Sequence, residues 1–255
     1  METKFITQRR EGRILYLTLS RPEVLNACYE DDHDEMAEIW PQIAADDDVD
    51  VVVLTGAGRA FSAGGHLDLF RELITDAATR ERVQRGAEMM IHALVDFPKP
   101  LIVAMNGLAM TGGLALALMA DIIIAERHVR LTDGHVVAGI AAGDGGVLTW
   151  PLYAGLLRAK RWLMTGDWIS AEEACEIGLV TEVVDEGQSL ARATEYAAKI
   201  AALPQDGVRS TKRALNGWQR LGLPIFDVSC GYEFANLASP RVREHAERLL
   251  AEHGK

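Results

Sequence analysis

The sequence predicts an α/β fold with a helical C-terminal region. Three observations carry that reading: Val- and Ile-rich runs bounded by glycine, stretches of helical spacing between them, and four successive helix-like stretches at the chain's end. Strand and helix alternate through the first half of the chain, as in an α/β fold. With 255 residues the chain can form one large α/β domain, read here as a core over residues 1–200 and a helical region over 201–255.

Ile14 to Ser20 alternates apolar and polar residues as a strand does, and Asp50 to Thr55 is a Val-rich run closed by Gly56. Leu101 to Met105 and Asp121 to Ala125 have the same character. Between them lie two helices, Glu30 to Ala44 with a kink expected at Pro41, and Ala77 to Phe97. Ser170 to Glu173 has capping-box spacing, with Ser170 accepting from the Glu173 N–H and Glu173 reaching back. Gly178 is placed to end that helix, and Val180 to Val184 follows as a strand. Ser189 to Ala202, Gly207 to Arg220, Phe226 to Ala238 and Arg241 to Glu252 read as helices, punctuated by Pro204, Pro224 and Pro240.

The formal charge of −11 disfavours nonspecific binding to nucleic acid or anionic membranes. Cys28, Cys175 and Cys230 are odd in number and widely spaced, so they read as free thiols in a reducing cytoplasm rather than metal ligands. Met1 to Arg10 is mixed polar and does not resemble a secretory signal. Leu101 to Ala120 carries no formal charge, but Asn106-Gly107 and Gly112-Gly113 break it into a strand and a helix, so no membrane span is expected. Asp46-Asp47-Asp48 reads as a solvated turn, and no metal is expected.

Two loops carry the chemistry. Gly56 to Leu67 follows a buried strand and is dense in small residues, which suits either a plain turn or a loop where backbone approaches a ligand. It lacks both the Walker lysine and the GxGxxG pattern of nucleotide loops. Asn106 to Ala115 sets Gly112-Gly113 where a helix begins, and a helix start offers free N–H donors and the positive end of its dipole.

The order FSAGG-x-L, then NG-x-A-x-x-GG, then ADIIIA resembles the crotonase superfamily, and Leu163 to Val184 is similar to that family's segment leading into its last core strand. The resemblance implies a spiral of ββα units with a C-terminal helical region used in trimer packing, trimers often pairing into hexamers. It implies an acyl-CoA substrate and no permanently bound cofactor, coenzyme A arriving as part of the substrate. By position, Gly65 and Gly112 would form the oxyanion hole, the Ala63 carbonyl would receive the adenine amino group, and Leu25 and Leu67 would line the cofactor channel.

The chain departs from the hydratase pattern at both catalytic glutamates, carrying Ala115 at the first position and His135 at the second. His135 and Asp144 flank a glycine-containing loop, and HxxxGIxxGDG is similar to the β-diketone hydrolase branch, which uses a His-Asp pair as base and needs no CoA. In that reading His135 takes a proton from water and Asp144 orients it; the bland alternative has Asp144 capping the helix that starts near Gly145. Glu23 replaces a common CoA-contacting lysine, and Arg59 is a candidate phosphate contact or an ordinary surface arginine. His66 is expected to hydrogen-bond locally. Three functions follow: an acyl-CoA hydratase or isomerase, a C–C hydrolase of 1,3-diketones, and a non-catalytic assembly subunit.

Overall fold

The computed structural model describes residues 5–253, so the outer domain limits at 1 and 255 lie outside the described residues. Two sheets run through the molecule. The larger holds β1 (Ile6–Glu11), β2 (Ile14–Leu19), β3 (Val51–Gly56), β5 (Leu101–Met105), β7 (Ile122–Glu126) and β10 (Glu182–Val184), in that spatial order. Only the β1–β2 pair is antiparallel. The smaller sheet holds β4 (Ala60–Ser62), β6 (Leu108–Met110), β8 (Arg130–Thr132) and β9 (Ile169–Ser170), parallel except for the β8–β9 pair.

Each of β3, β5 and β7 is followed by a short strand of the smaller sheet and then by helix. After β4 come α2 (Leu67–Thr75) and α3 (Ala77–Asp96), after β6 comes α4 (Thr111–Leu118), and after β8 come a short 3-10 turn (His135–Ala138) and α5 (Gly146–Ala154). This repeated strand–strand–helix unit is the expected crotonase-like spiral. It delivers one loop per turn to the same end of the smaller sheet.

β3 and β5 are buried at every residue, as strands covered on both faces must be. Their alternation sorts the core. Val52, Leu54, Leu101 and Val103 pack toward α1 (Glu30–Ala45) and α3, while Val51, Val53, Ile102 and Ala104 pack with Ala193 and Ala197 of α8 (Ser189–Ala201). Helices α6 (Leu156–Thr165) and α7 (Ala171–Glu176) precede β10, and α9 (Gln205–Leu215), α10 (Gly217–Leu237) and α11 (Pro240–His253) close the chain.

Pro41 lies inside α1, which continues through it. Two local expectations change. Pro224 does not divide the tail, because α10 runs through it and the break falls at Asn216; Pro224 lies on an exposed face, where water can meet the Arg220 carbonyl it leaves unbonded. The Ser170 hydroxyl accepts from the Glu173 N–H at 3.1 Å, and Gly178 at φ +90° follows the end of α7, but Glu173 turns toward Arg161 instead of reaching back. Among the described residues no helix is long and apolar enough to cross a membrane; the uncharged stretch is β5, β6 and α4.

Candidate active site

The loops at the end of the smaller sheet, with α2, α3, α10 and α11, enclose a cavity of about 590 Å³ whose wall is mostly apolar. The C-terminal helices therefore do more than extend the core: Glu233 and Phe234 of α10 and Leu250 of α11 form part of this wall.

Gly65 sits just beyond β4 and pairs with Cys28, through the Cys28 N–H to the Gly64 carbonyl at 2.8 Å and the His66 N–H to the Cys28 carbonyl at 2.8 Å. Those flanking groups face Cys28, so the N–H of Gly65 faces the other way, and it meets no acceptor among the described residues. Gly112 is the second residue of α4, where no earlier turn supplies a carbonyl, and its N–H is equally unpartnered among them. Thr111, just before it, has φ 44°, a left-handed value that a β-branched residue adopts only under strain of ~1–3 kcal/mol. That strain turns the chain sharply from β6 into α4 at the cavity wall.

The two turns are pressed together. Gly64 has φ +78°, and a Cβ there would land on the Thr111 hydroxyl; a Cβ on Gly113 would overlap the Ser62 side chain. A Cβ on Gly112 would stand 3.0 Å from Asp144 Oδ2, so the carboxylate lies against that glycine.

Asp144 does not cap α5, whose N-cap is Gly145 without any side-chain bond. It accepts from His135 Nε2 at 2.9 Å, while His135 Nδ1 donates to Asp133 Oδ1 at 2.7 Å. The ring is buried and both its nitrogens face carboxylates, so neither is left for a water. Burial alone would lower the pKa of His135, but the carboxylate charges of Asp133 and Asp144 outweigh it and hold the ring as an imidazolium. Burial alone would raise Asp144, but the adjoining imidazolium outweighs that and keeps its carboxyl below the ordinary value. Glu233, 3.9 Å from His135 Nε2, is pushed well above the ordinary range by burial and by the charge of Asp144.

The ligating atoms of His135, Asp144 and Glu233 lie within 4.8 Å of one another, a spacing that a cation could occupy, but a ring holding protons on both nitrogens is not a ligand. His33 also lines the cavity; its Nδ1 donates to the Tyr29 carbonyl at 3.0 Å and Nε2 stands 3.9 Å from Cys28 Sγ. Burial pulls His33 down, and the Cys28 sulfur and Asp144 outweigh it to raise its pKa to about 9. Cys28, Cys175 and Cys230 are all free thiols.

Ala63, Leu67 and His66 line the cavity. His66 plays the local role expected of it, accepting from the Asp68 N–H at 3.2 Å as the N-cap of α2 and stacking on Tyr29. Leu25, at φ 56°, accepts from the Ala63 N–H at 2.9 Å but does not reach the cavity, and Arg59 is exposed outside it. Ala115 is buried in α4 and does not line the cavity, so the first glutamate position offers no group for proton transfer. Sequence reasoning gave no role to Asp133 or Glu233. Asp133 was within reach, as an acid two residues before His135; Glu233 stands on a distant helix with no local signal.

A spiral of strand–strand–helix units that closes a pocket around unpartnered glycine amides and a buried acid–base cluster defines an enzyme of the crotonase fold. The chain belongs to the enoyl-CoA hydratase/isomerase family, which matches residues 9–223. It is 35% identical over 251 residues to 1,2-epoxyphenylacetyl-CoA isomerase of Escherichia coli, covering 97% of this chain and 96% of that protein. It is 33% identical over 222 residues to a short-chain-enoyl-CoA hydratase of Clostridium acetobutylicum, covering 85% and 82%. The crystal structure of an enoyl-CoA hydratase/isomerase from Mycobacterium paratuberculosis superposes with a TM-score of 0.93 at 36% identity, covering 96% of this chain and 98% of that one.

Proposed function

We propose that the protein isomerises an unsaturated acyl-CoA thioester. Asp144 takes a proton from the carbon next to the thioester, and the amides of Gly65 and Gly112 hold the enolate oxygen. The observation that carries this is the placement of the cavity-lining carboxylate of Asp144 against Gly112, the residue whose amide is unpartnered among the described residues. Donors of this kind are worth ~2.7–4 kcal/mol each in the transition state. His135 then serves as the fixed cation that orients Asp144 and keeps it ionised.

Isomerisation is favoured over hydration because Ala115 removes the first glutamate and the wall is mostly apolar, leaving few groups to hold a water. The diketone reading needs a histidine nitrogen open to water, and both are bonded to carboxylates. Coenzyme A would come with the substrate, its adenine at Ala63 and its pantetheine past Leu67, with Leu25 and Arg59 contacting it outside the cavity. Trp218, Leu221, Ile225, Val228 and Tyr232 form an exposed apolar stripe along α10 at three- and four-residue spacing, which supports self-association as a trimer or a pair of trimers. Free thiols support a cytoplasmic setting.

The test is turnover of but-3-enoyl-CoA to crotonyl-CoA, run beside crotonyl-CoA hydration and a panel of 1,3-diketones without CoA. Isomerisation exceeding hydration, with the diketones untouched, is expected. Diketone cleavage without CoA, or hydration alone, would overturn the proposal.

A further inference from the structure

Helix α10 brings to the cavity one group that enolate formation leaves unused. Glu233 is 6% exposed, and its Oε2 has no hydrogen-bond partner among the described residues. Gly143, in the loop that carries Asp144, has no room for a Cβ because Glu233 fills that space. The glutamate therefore presses on the base-bearing loop, with its Oε1 3.9 Å from His135 Nε2.

Two carboxyl groups this close in a buried volume do not both ionise. Asp144 has the direct bond to the imidazolium, so it carries the charge. Glu233 keeps its proton, and a buried carboxylic acid with an unpartnered oxygen holds a proton that the protein itself does not accept. Both carboxyl groups line the same cavity.

We propose that Glu233 is the general acid that delivers a proton to the far end of the dienolate, completing the double-bond shift that Asp144 begins. This deepens the isomerase reading above and rests on it. In but-3-enoyl-CoA, the Asp144 carboxylate removes a proton from Cα, and the electron pair of that C–H bond moves onto the thioester oxygen as a dienolate. The Glu233 O–H then protonates Cγ as the pair returns to form the Cα=Cβ bond of crotonyl-CoA. Asp144 is left as the acid and Glu233 as the carboxylate, and transfer of one proton between them restores the starting state. No other reactant is consumed.

The experiment separates the two steps. Exchange of the Cα protons of butyryl-CoA in D2O needs only Asp144 and the oxyanion amides, whereas isomerisation of but-3-enoyl-CoA also needs the acid. Glu233→Gln is expected to keep exchange within about threefold while isomerisation falls by ~10²-fold or more. Isomerisation within threefold of wild type, or both activities falling together in a variant with an unchanged unfolding temperature, would overturn the assignment. A wild-type measurement decides the matter if that variant does not fold. In D2O the first turnover should place deuterium at Cγ, and transfer of the substrate's own Cα proton there would show Asp144 acting alone. Absence of exchange in the wild-type enzyme would remove the underlying isomerase reading, and this proposal with it.

Discussion

Which group is the base can be read from a pH profile, because the structure places Asp144 and His135 at opposite ends of the scale. Asp144 is held below its ordinary value of 3.8 by the imidazolium, against burial, and His135 is held well above 6.5 by its carboxylate neighbours. If Asp144 abstracts the Cα proton, more than about 90% of it is already ionised at pH 5, and exchange on butyryl-CoA should be flat from pH 5 to 8. If His135 were the base with an ordinary imidazole pKa, only about 3% would be in the active form at pH 5, and the rate should climb roughly thirtyfold toward pH 8. Asp144→Asn keeps a carbonyl oxygen for the His135 N–H but has no basic oxygen. It should slow exchange by ~10²–10⁴-fold, or ~2.7–5.4 kcal/mol of barrier. The assay is loss of the Cα–H signal by proton NMR across buffers of constant ionic strength. A rate that rises through pH 6–7, or an Asn variant within threefold of wild type, would refute the reasoning.

Three further outcomes follow from the packing. Gly64→Ala forces a left-handed Ala and drives its methyl into Thr111, at roughly 2–5 kcal/mol in all; calorimetry should show a lower unfolding temperature together with reduced turnover, and wild-type values for both would contradict the close packing of the two turns. Glu233→Gln should gain stability over wild type as pH rises, because burial and Asp144 raise the folded-state pKa of Glu233. Wild type then loses stability between the ordinary value of 4.5 and that raised pKa, by at most about 1.4 kcal/mol per pH unit, and parallel urea midpoints at pH 4 and 7 would count against it. Ile225→Glu puts a charge in the exposed stripe of α10 and should lower the mass measured by light scattering toward 27.9 kDa, whereas an unchanged mass would show that the stripe is not an interface.

The four central strands of the larger sheet were legible because they are largely buried runs with a clear start and stop; β5 was read to the residue and β2, β3 and β7 within one, whereas the mostly exposed edge strand β1 was not read. The two- and three-residue strands of the smaller sheet are too short for periodicity to show; the family resemblance implied a second strand in each repeat without locating it. At the tail, proline was given too much weight: Pro224 on an exposed face leaves α10 intact, and Asn216 marks the actual break. The glycine pairs pointed to the loops now seen in contact, but the contact between Gly64 and Thr111 is a tertiary fact. His135 and Asp144 were paired from their places flanking one loop together with the family resemblance of that loop. Their roles could not be read there, because Asp133 takes the second ring nitrogen and Glu233 arrives from a remote helix, and these two neighbours set which groups carry protons.

The account stands on the thioester oxygen meeting both glycine amides with Asp144 alongside. A crystal structure with acetoacetyl-CoA bound measures this directly. The expected result is one acyl oxygen at ~2.7–3.1 Å from the nitrogens of Gly65 and Gly112, with the Asp144 carboxylate facing the adjacent carbon. An acyl oxygen bonded to neither amide, or a carbonyl of the chain filling either position, would contradict it.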